Sequence, residues 1–302
     1  MKWYPIVLCA IALLTACKES NSNSKSATSQ VMVEPERRNL SQEFKDYWYE
    51  ATAEINSYTL SQSRYGELRE GNAVLVFVTE PFDAQDQIKA DQPGEDQIPV
   101  LKLNATKDFI TGIYPYHIMS STYLPLDTKS NAIKIASSIQ EWCGQSYMQM
   151  NSNGKNYDVQ LRSYFQSEGN VDFQVHNVMT ENQLAIQLRI DPRKMPLDSI
   201  NIIPSMEYLR LKHKETRSYK AFAKLNEIPD GLLYSVKFPE LGRTIAYKVE
   251  KQFPYKILSW MDRYNDGGTP MVSTAQLKQS IKTAYWNQNK TVHEALRDTL
   301  QL

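Results

Sequence analysis

The folded part of this chain has no way to staple itself. Of its three cysteines, Cys9 and Cys17 belong to an N-terminal export leader. Cys143 is then the one free thiol of an exported domain, no intramolecular disulfide is possible, and the fold must rest on core burial. Histidine is scarce as well, with four in all. His117, His176, His213 and His293 are scattered, none four residues from another, and His293-Glu294 lacks the second histidine of the zinc-protease helix motif, so no metal site is expected. Charge of one sign is missing too: 34 basic residues balance 34 acidic ones. No overall field favours nucleic acid, which export makes an unlikely partner in any case. No apolar run reaches the roughly 20 residues that a helical membrane span requires. No cofactor is implied.

What the N-terminus does contain is a leader. Met1-Lys2 carries the early positive charge, Ile6 to Leu14 is apolar, and the small residues Thr15 and Ala16 precede Cys17. The run Leu14-Thr15-Ala16-Cys17 resembles the lipobox of bacterial lipoproteins. That resemblance implies a diacylglycerol on the Cys17 sulfur, cleavage before it and acylation of the new amine. Each buried methylene adds about 0.8 kcal/mol, so two or three acyl chains make an effectively permanent membrane anchor. Residues 1–16 thus read as a signal peptide and 17–39 as the lipidated cysteine with a Ser/Asn-rich disordered tether. As a flexible coil of about 22 residues, the tether reaches on the order of 25 Å. Lys18-Glu19 resembles a surface-export signal, and the expected location is the cell envelope, with outer membrane and leaflet left open.

Residues 40–302 read as one β-rich α+β domain, with a sub-boundary near 196–204. A helix is expected over Ser41 to Ile55, because Phe44, Tyr47, Trp48, Ala51 and Ile55 recur at three- and four-residue steps behind a capping serine. Ala73 to Val78 reads as a buried strand ended by Pro81. Alternation then dominates: Tyr157-Val159-Leu161, Val171-Phe173-Val175 and Leu184-Ile186-Leu188-Ile190 each face one way while polar neighbours face the other. Turn residues at Asn151-Ser152-Asn153-Gly154, Glu168-Gly169-Asn170 and Thr180-Glu181-Asn182 separate them, giving a meander. Further strands are expected at Glu207 to Leu211, Tyr219 to Leu225, Leu232 to Phe238 and Ile245 to Phe253. Capping-box spacings at Ser273 to Gln276 and Thr291 to Glu294 predict two closing helices. The fold class is therefore α+β, mainly an antiparallel β meander forming a curved sheet or half-open barrel, with an N-terminal helix and two C-terminal helices.

Trp48-Tyr49-Glu50-Ala51 through Ile55-Asn56-Ser57-Tyr58, Arg64 through Ala73, Tyr114-Pro115-Tyr116, Gln140 through Gly144 and Phe253 through Leu258 resemble a family of uncharacterised lipoproteins from flavobacterial-type bacteria. Such proteins often carry the label septum formation inhibitor Maf. True Maf proteins resemble nucleotide pyrophosphatases with a Ser-x-Arg-Arg motif at the start of an α/β domain, whereas Glu36-Arg37-Arg38 here lies in the tether. The resemblance therefore transfers no functional residue. The bent sheet with covering helices also resembles the half-open barrels of periplasmic lipoprotein carriers, at the level of fold alone.

Candidate chemistry is sparse. Cys143, in Glu141-Trp142-Cys143-Gly144, is a weak nucleophile candidate for a cysteine-dependent hydrolase with Glu141 or a histidine as base; a buried strand cysteine is the favoured reading. Asp262 to Gly268 has oxygen ligands and glycines but not EF-hand spacing, so it reads as an exposed turn. Arg64, Glu67, Arg69 and Glu70 read as a solvated hairpin. Arg210, Lys212, His213, Lys214 and Arg217 read as the wet face of a strand. Tyr114, Tyr116, Trp142 and Trp260 are the candidates to line an apolar ligand site, although core filling is the commoner use of such residues. The leading expectation is a non-enzymatic envelope lipoprotein acting as a binding or structural module for an apolar small molecule. The alternatives are the Cys143 hydrolase and a scaffold for envelope protein partners.

Overall fold

The computed structural model describes Met1 and residues 36–302, apart from 92–93 and 95–96. Cys17, the signal peptide and nearly all of the tether lie outside the described residues. The chain from Pro35 to Leu302 is one compact unit, and the expected sub-boundary near 196–204 falls inside it.

Among the described residues, fifteen strands build a single sheet. In chain order they are β1 (Ala53–Arg64), β2 (Glu67–Asp83), β3 (Ile88–Lys89), β4 (Gln97–Thr111), β5 (Tyr114–Pro125), β6 (Lys134–Glu141), β7 (Gly144–Ser152), β8 (Asn156–Ser163), β9 (Asn170–His176), β10 (Asp198–Ile202), β11 (Tyr219–Ile228), β12 (Gly231–Phe238), β13 (Arg243–Val249), β14 (Ile257–Asp266) and β15 (Thr269–Thr283). The spatial order is β10-β11-β12-β13-β14-β15-β1-β2-β4-β5-β6-β7-β8-β9, with β3 on β2. The pairings are antiparallel throughout. The last strand, β15, returns to the first, β1, in mid-sheet, so the open edges are β9 and β10. The alternation expected of β8 is real: Tyr157 and Val159 are buried while Asp158 and Gln160 are exposed. Gly71 is required at the end of the β2–β4 ladder, opposite Phe109, since a Cβ there would stand 2.1 Å from the Asp108 carbonyl oxygen.

Several expectations fail, each for a physical reason. The first helix, α1, covers only Gln42–Trp48. Ser41 does cap it, its Oγ accepting from the Phe44 N–H at 3.1 Å, but Ala51 turns to positive φ and Ile55 belongs to β1. Pro81 does not end β2. It sits beyond Phe77, the last residue that β2 pairs with β1, where a missing N–H leaves no ladder bond unmade. Leu184–Ile190 is a helix, α2. With Leu184, Ala185, Ile186, Leu188 and Arg189 all buried, it has no wet face to betray a helical period. Met206–Leu211 is likewise a helix, α3, capped by the Ser205 hydroxyl on the Tyr208 N–H. Ser273 opens no helix: β15 runs through it, paired there with Asp262 of β14, and its Oγ accepts from the Ser63 N–H at 2.9 Å. The C-terminal helix α4 is reduced to Ala295–Thr299.

The sheet is curved and open. The six residues of α3 touch β4 through Glu207, β7 through Arg210 and β14 through Tyr208 against Tyr264, strands far apart in the sheet order, and that is possible only if the sheet bends around the helix. α2 lies on the same concave face, where Arg189 meets Glu54 of β1. One isolated parallel bridge, Thr180 to Ile203, ties the segment after β9 to the segment after β10. The two edges are thus brought near each other without a ladder to close them.

Candidate functional site

α3 crosses the concave face with its apolar side inward, burying Met206, Leu209 and Leu211. A ring of polar contacts from four strands and a turn fixes it. Lys107 Nζ on β4 donates to Glu207 Oε1 at 2.8 Å. Arg210 Nε donates to Ser146 Oγ on β7 at 3.0 Å and pairs with Glu168 of the β8–β9 turn at 2.8 Å. Lys212 pairs with Asp266 of β14, and Arg64 of β1 donates to the Leu211 carbonyl at 3.1 Å. Burial pushes the Lys212 ammonium down from its ordinary value while Asp266 pulls it back.

Behind α3 lies a cavity of about 100 Å³, with Gln62, Leu103, Tyr247 and Trp260 among its walls. Arg243 spans one side, donating to Glu181 at 2.5 and 2.7 Å and to Asp262 at 2.8 Å, with its guanidinium 3.9 Å from the Tyr208 ring. Burial works against the Arg243 charge, but the two carboxylates outweigh it and hold its pKa well above the ordinary arginine value. Burial also pushes Asp262 up, against the pull of Arg243. Gln62 Nε2 donates to the Tyr264 hydroxyl at 3.1 Å, whereas its buried Oε1 has no protein donor. The walls are more apolar than polar, with Leu75, Ile118 and Ile245 also among them, and a chamber of this size has room for on the order of three waters. It lies well below the roughly 300 Å³ at which ligand pockets begin.

In front of α3, between the β8–β9 turn and the segment leading to β11, the concave face stays open as a cleft of about 410 Å³. Met148, Leu161 and Leu209 form its apolar floor, and Glu168, His213 and Lys214 stand on its rim. His213 Nδ1 is 2.8 Å from Glu168 Oε1, so Glu168 serves both Arg210 and His213. The cleft opens where the curved sheet fails to close.

The expected site residues do not assemble into one pocket. Trp260 lines the inner chamber and packs 4.7 Å from Tyr58. Tyr114, Tyr116 and Trp142 gather instead at the turns of β4–β5 and β6–β7, with Tyr114 6.0 Å from Tyr116 and 6.4 Å from Trp142. Cys143 is not a buried strand residue: it is exposed, in the two-residue turn between β6 and β7. Its N–H donates to Glu141 Oε2 at 2.6 Å, and the hydrogen bond and negative charge of Glu141 push the thiol pKa up, which disfavours the thiolate a nucleophile needs. His117 and His213 are engaged with Asp108 and Glu168.

No family model matches the chain and no curated protein is similar to it. Among solved structures, a porin-like protein from Bacteroides uniformis is matched at 10% identity and a TM-score of 0.22, over 81% of this chain and 99% of the other.

The loop Asp262 to Gly268 also differs from its expected exposed turn. Gly267 and Gly268 do make the β14–β15 turn, but Asp262 and Asp266 point inward onto Arg243 and Lys212. Arg64 is no solvated surface charge either, since it stacks 4.2 Å from the Tyr65 ring and donates to the Tyr116 hydroxyl at 3.1 Å. The basic run from Arg210 to Lys214 was the nearest sequence trace of the cleft. Pro204-Ser205 followed by Glu207 is the helix-start signal that would have placed it on α3.

Proposed function

We propose that this chain is a non-enzymatic binding module of the cell envelope, tethered to a membrane through Cys17, whose ligand is a small apolar molecule held in the cleft beside α3. The cleft itself carries this reading: about 410 Å³ of open concave surface with a floor of Met148, Leu161 and Leu209. That volume falls within the range of about 300–1,000 Å³ typical of small-molecule sites. It is far too small for a two-chain lipid. The rim of Lys214, His213 and Glu168 suits a ligand with one polar end left at the mouth.

The deciding measurement is native mass spectrometry with organic extraction on the unit from Pro35 onward, expressed in the periplasm without its anchor. A stoichiometric apolar adduct is expected, and it should be lost in Leu161→Arg, which places a charge on the cleft floor. A clean apo mass together with no uptake of an apolar fluorescent probe would overturn the reading. An adduct that survives Leu161→Arg would move the ligand elsewhere.

A further inference from the structure

Four hairpins adjacent in the sheet, β1–β2, β4–β5, β6–β7 and β8–β9, turn at the same pole of the domain. Their turns and the strand ends beside them carry exposed apolar side chains: Tyr65 and Leu68, Ile110 and Ile113, Trp142, and Tyr164. Ile113 is 82% exposed, Tyr164 74% and Trp142 69%. Neighbouring turns stand two strand spacings apart, about 10 Å, so the row extends about 30 Å. A row of this kind is more than scattered surface hydrophobicity and marks a docking surface.

We propose that this row docks onto a lipid bilayer, its side chains inserting at the boundary between headgroups and acyl chains. Tryptophan and tyrosine favour that boundary because one end of each is apolar and the other can stay wet. The side chains project from turns rather than line a groove, which suits a fluid partner that closes around each one. Along the row Glu67, Asp172 and Glu168 each meet an arginine, Arg69, Arg162 and Arg210, whereas Glu70 and Glu141 have no ion-pair partner among the described residues. The edge therefore carries no excess of basic charge, and its apolar side chains suit a zwitterionic surface rather than an anionic one.

Chain length permits the contact. The described chain enters at the opposite pole, where Arg37 bridges to Thr128 in the β5–β6 connection. β5 has 12 residues, which sets the poles about 40 Å apart. Residues 17 to 35 number 35 minus 16, or 19, and can span at most about 65 Å. An anchor on Cys17 therefore does not prevent the far pole from reaching the same bilayer. The inference is independent of the cleft reading, because none of the six side chains lines the cleft.

The test uses the chain from Pro35 on, which carries every strand and helix of the unit and has Cys143 as its sole thiol. That thiol is labelled with an environment-sensitive fluorophore, and the protein is mixed with phosphatidylcholine vesicles. The unlabelled protein should co-sediment with the vesicles, and the label should brighten and shift to the blue. Salt should weaken neither effect, and added anionic lipid should strengthen neither. The combined variant Ile113→Ser, Trp142→Ser and Tyr164→Ser, all at exposed positions, should lower the partition coefficient at least a hundredfold. Trp286→Ser, outside the row, should leave it unchanged. No partition, partition abolished by salt, or equal loss in both variants would each overturn the proposal. A doubling of mass without vesicle binding would also overturn it and assign the row to a second copy of the chain. Ligand retention in the cleft should be the same in the triple variant, so the two readings fail separately.

Discussion

Arg189→Met should be among the most destabilising single changes in the domain. Arg189 and Glu54 have 0% exposure each. Arg189 Nη2 donates to Glu54 Oε2 at 2.8 Å and Nε to the Pro254 carbonyl at 2.9 Å, while Trp48 and Phe77 flank the guanidinium with ring centroids 5.0 Å away. Tyr47 and Asn56 also donate to Glu54. Burial alone would raise the Glu54 pKa, yet the charge and hydrogen bonds of Arg189, with those of Tyr47 and Asn56, hold it at about 2 against an ordinary 4.5. That difference corresponds to about 3 kcal/mol in favour of the carboxylate. Since the folded value is depressed, this contribution is fully present above about pH 4.5 and is lost as the pH falls through about 2. Removing the guanidinium leaves a buried, unpaired carboxylate, for which a cost of about 3–5 kcal/mol is expected at neutral pH. Urea unfolding of the wild type, Arg189→Met and the double variant Arg189→Met/Glu54→Gln measures it. The gap between wild type and single variant should narrow on acidification, as Glu54 takes up a proton in the variant, and the double variant should recover much of the loss. A cost below about 1 kcal/mol, with a gap indifferent to pH, would refute the claim that this pair locks α2 to β1.

Two further outcomes follow from local geometry. Gly71→Ala drives a Cβ to 2.1 Å from the Asp108 carbonyl oxygen, so β2 and β4 must part there; a loss of about 1–3 kcal/mol is expected in thermal or urea unfolding, and an unchanged midpoint would show that the ladder is loose at that end. Cys143 should react slowly with a disulfide reagent at neutral pH despite its exposure, because Glu141 keeps its thiol protonated. Glu141→Gln should speed the reaction several-fold, with the rate profile moving to lower pH; equal rates in the two proteins would remove Glu141 as the cause.

The strands were legible where one face is dry and the other wet. Tyr157 and Val159 against Asp158 and Gln160 could be read directly, as could the alternation in β12. Legibility failed where that contrast vanished. α2 is buried on nearly all sides, so Leu184-Ala185-Ile186-Gln187-Leu188 imitates alternation, and only the capping pattern from Thr180 to Gln183 marks it as a helix start. The reverse error befell β15, where Ser273 and Gln276 have capping-box spacing but two neighbouring strands claim the backbone. The candidate site was legible in its residue types and not in its grouping. Tyr114, Tyr116 and Trp142 do come together beside the β4–β5 and β6–β7 turns, but with Tyr116 buried in the core and Trp142 exposed, while Trp260 stands in a separate chamber.

By itself, then, the sequence settled the class: mainly antiparallel strands with a few short helices and no disulfide within the folded part. Those properties depend on the order of neighbours along the chain, which period and composition record. Tertiary structure alone decided that β15 returns to β1 and that β9 and β10 remain open edges. It also decided that Glu54 and Arg189, 135 residues apart, share one buried pair. The cleft exists because Met148, Leu161 and Leu209 meet where a curved sheet stops short of closing. Such meetings are set by how strands distant in the chain stack across a bend, and no local pattern of residues encodes that distance.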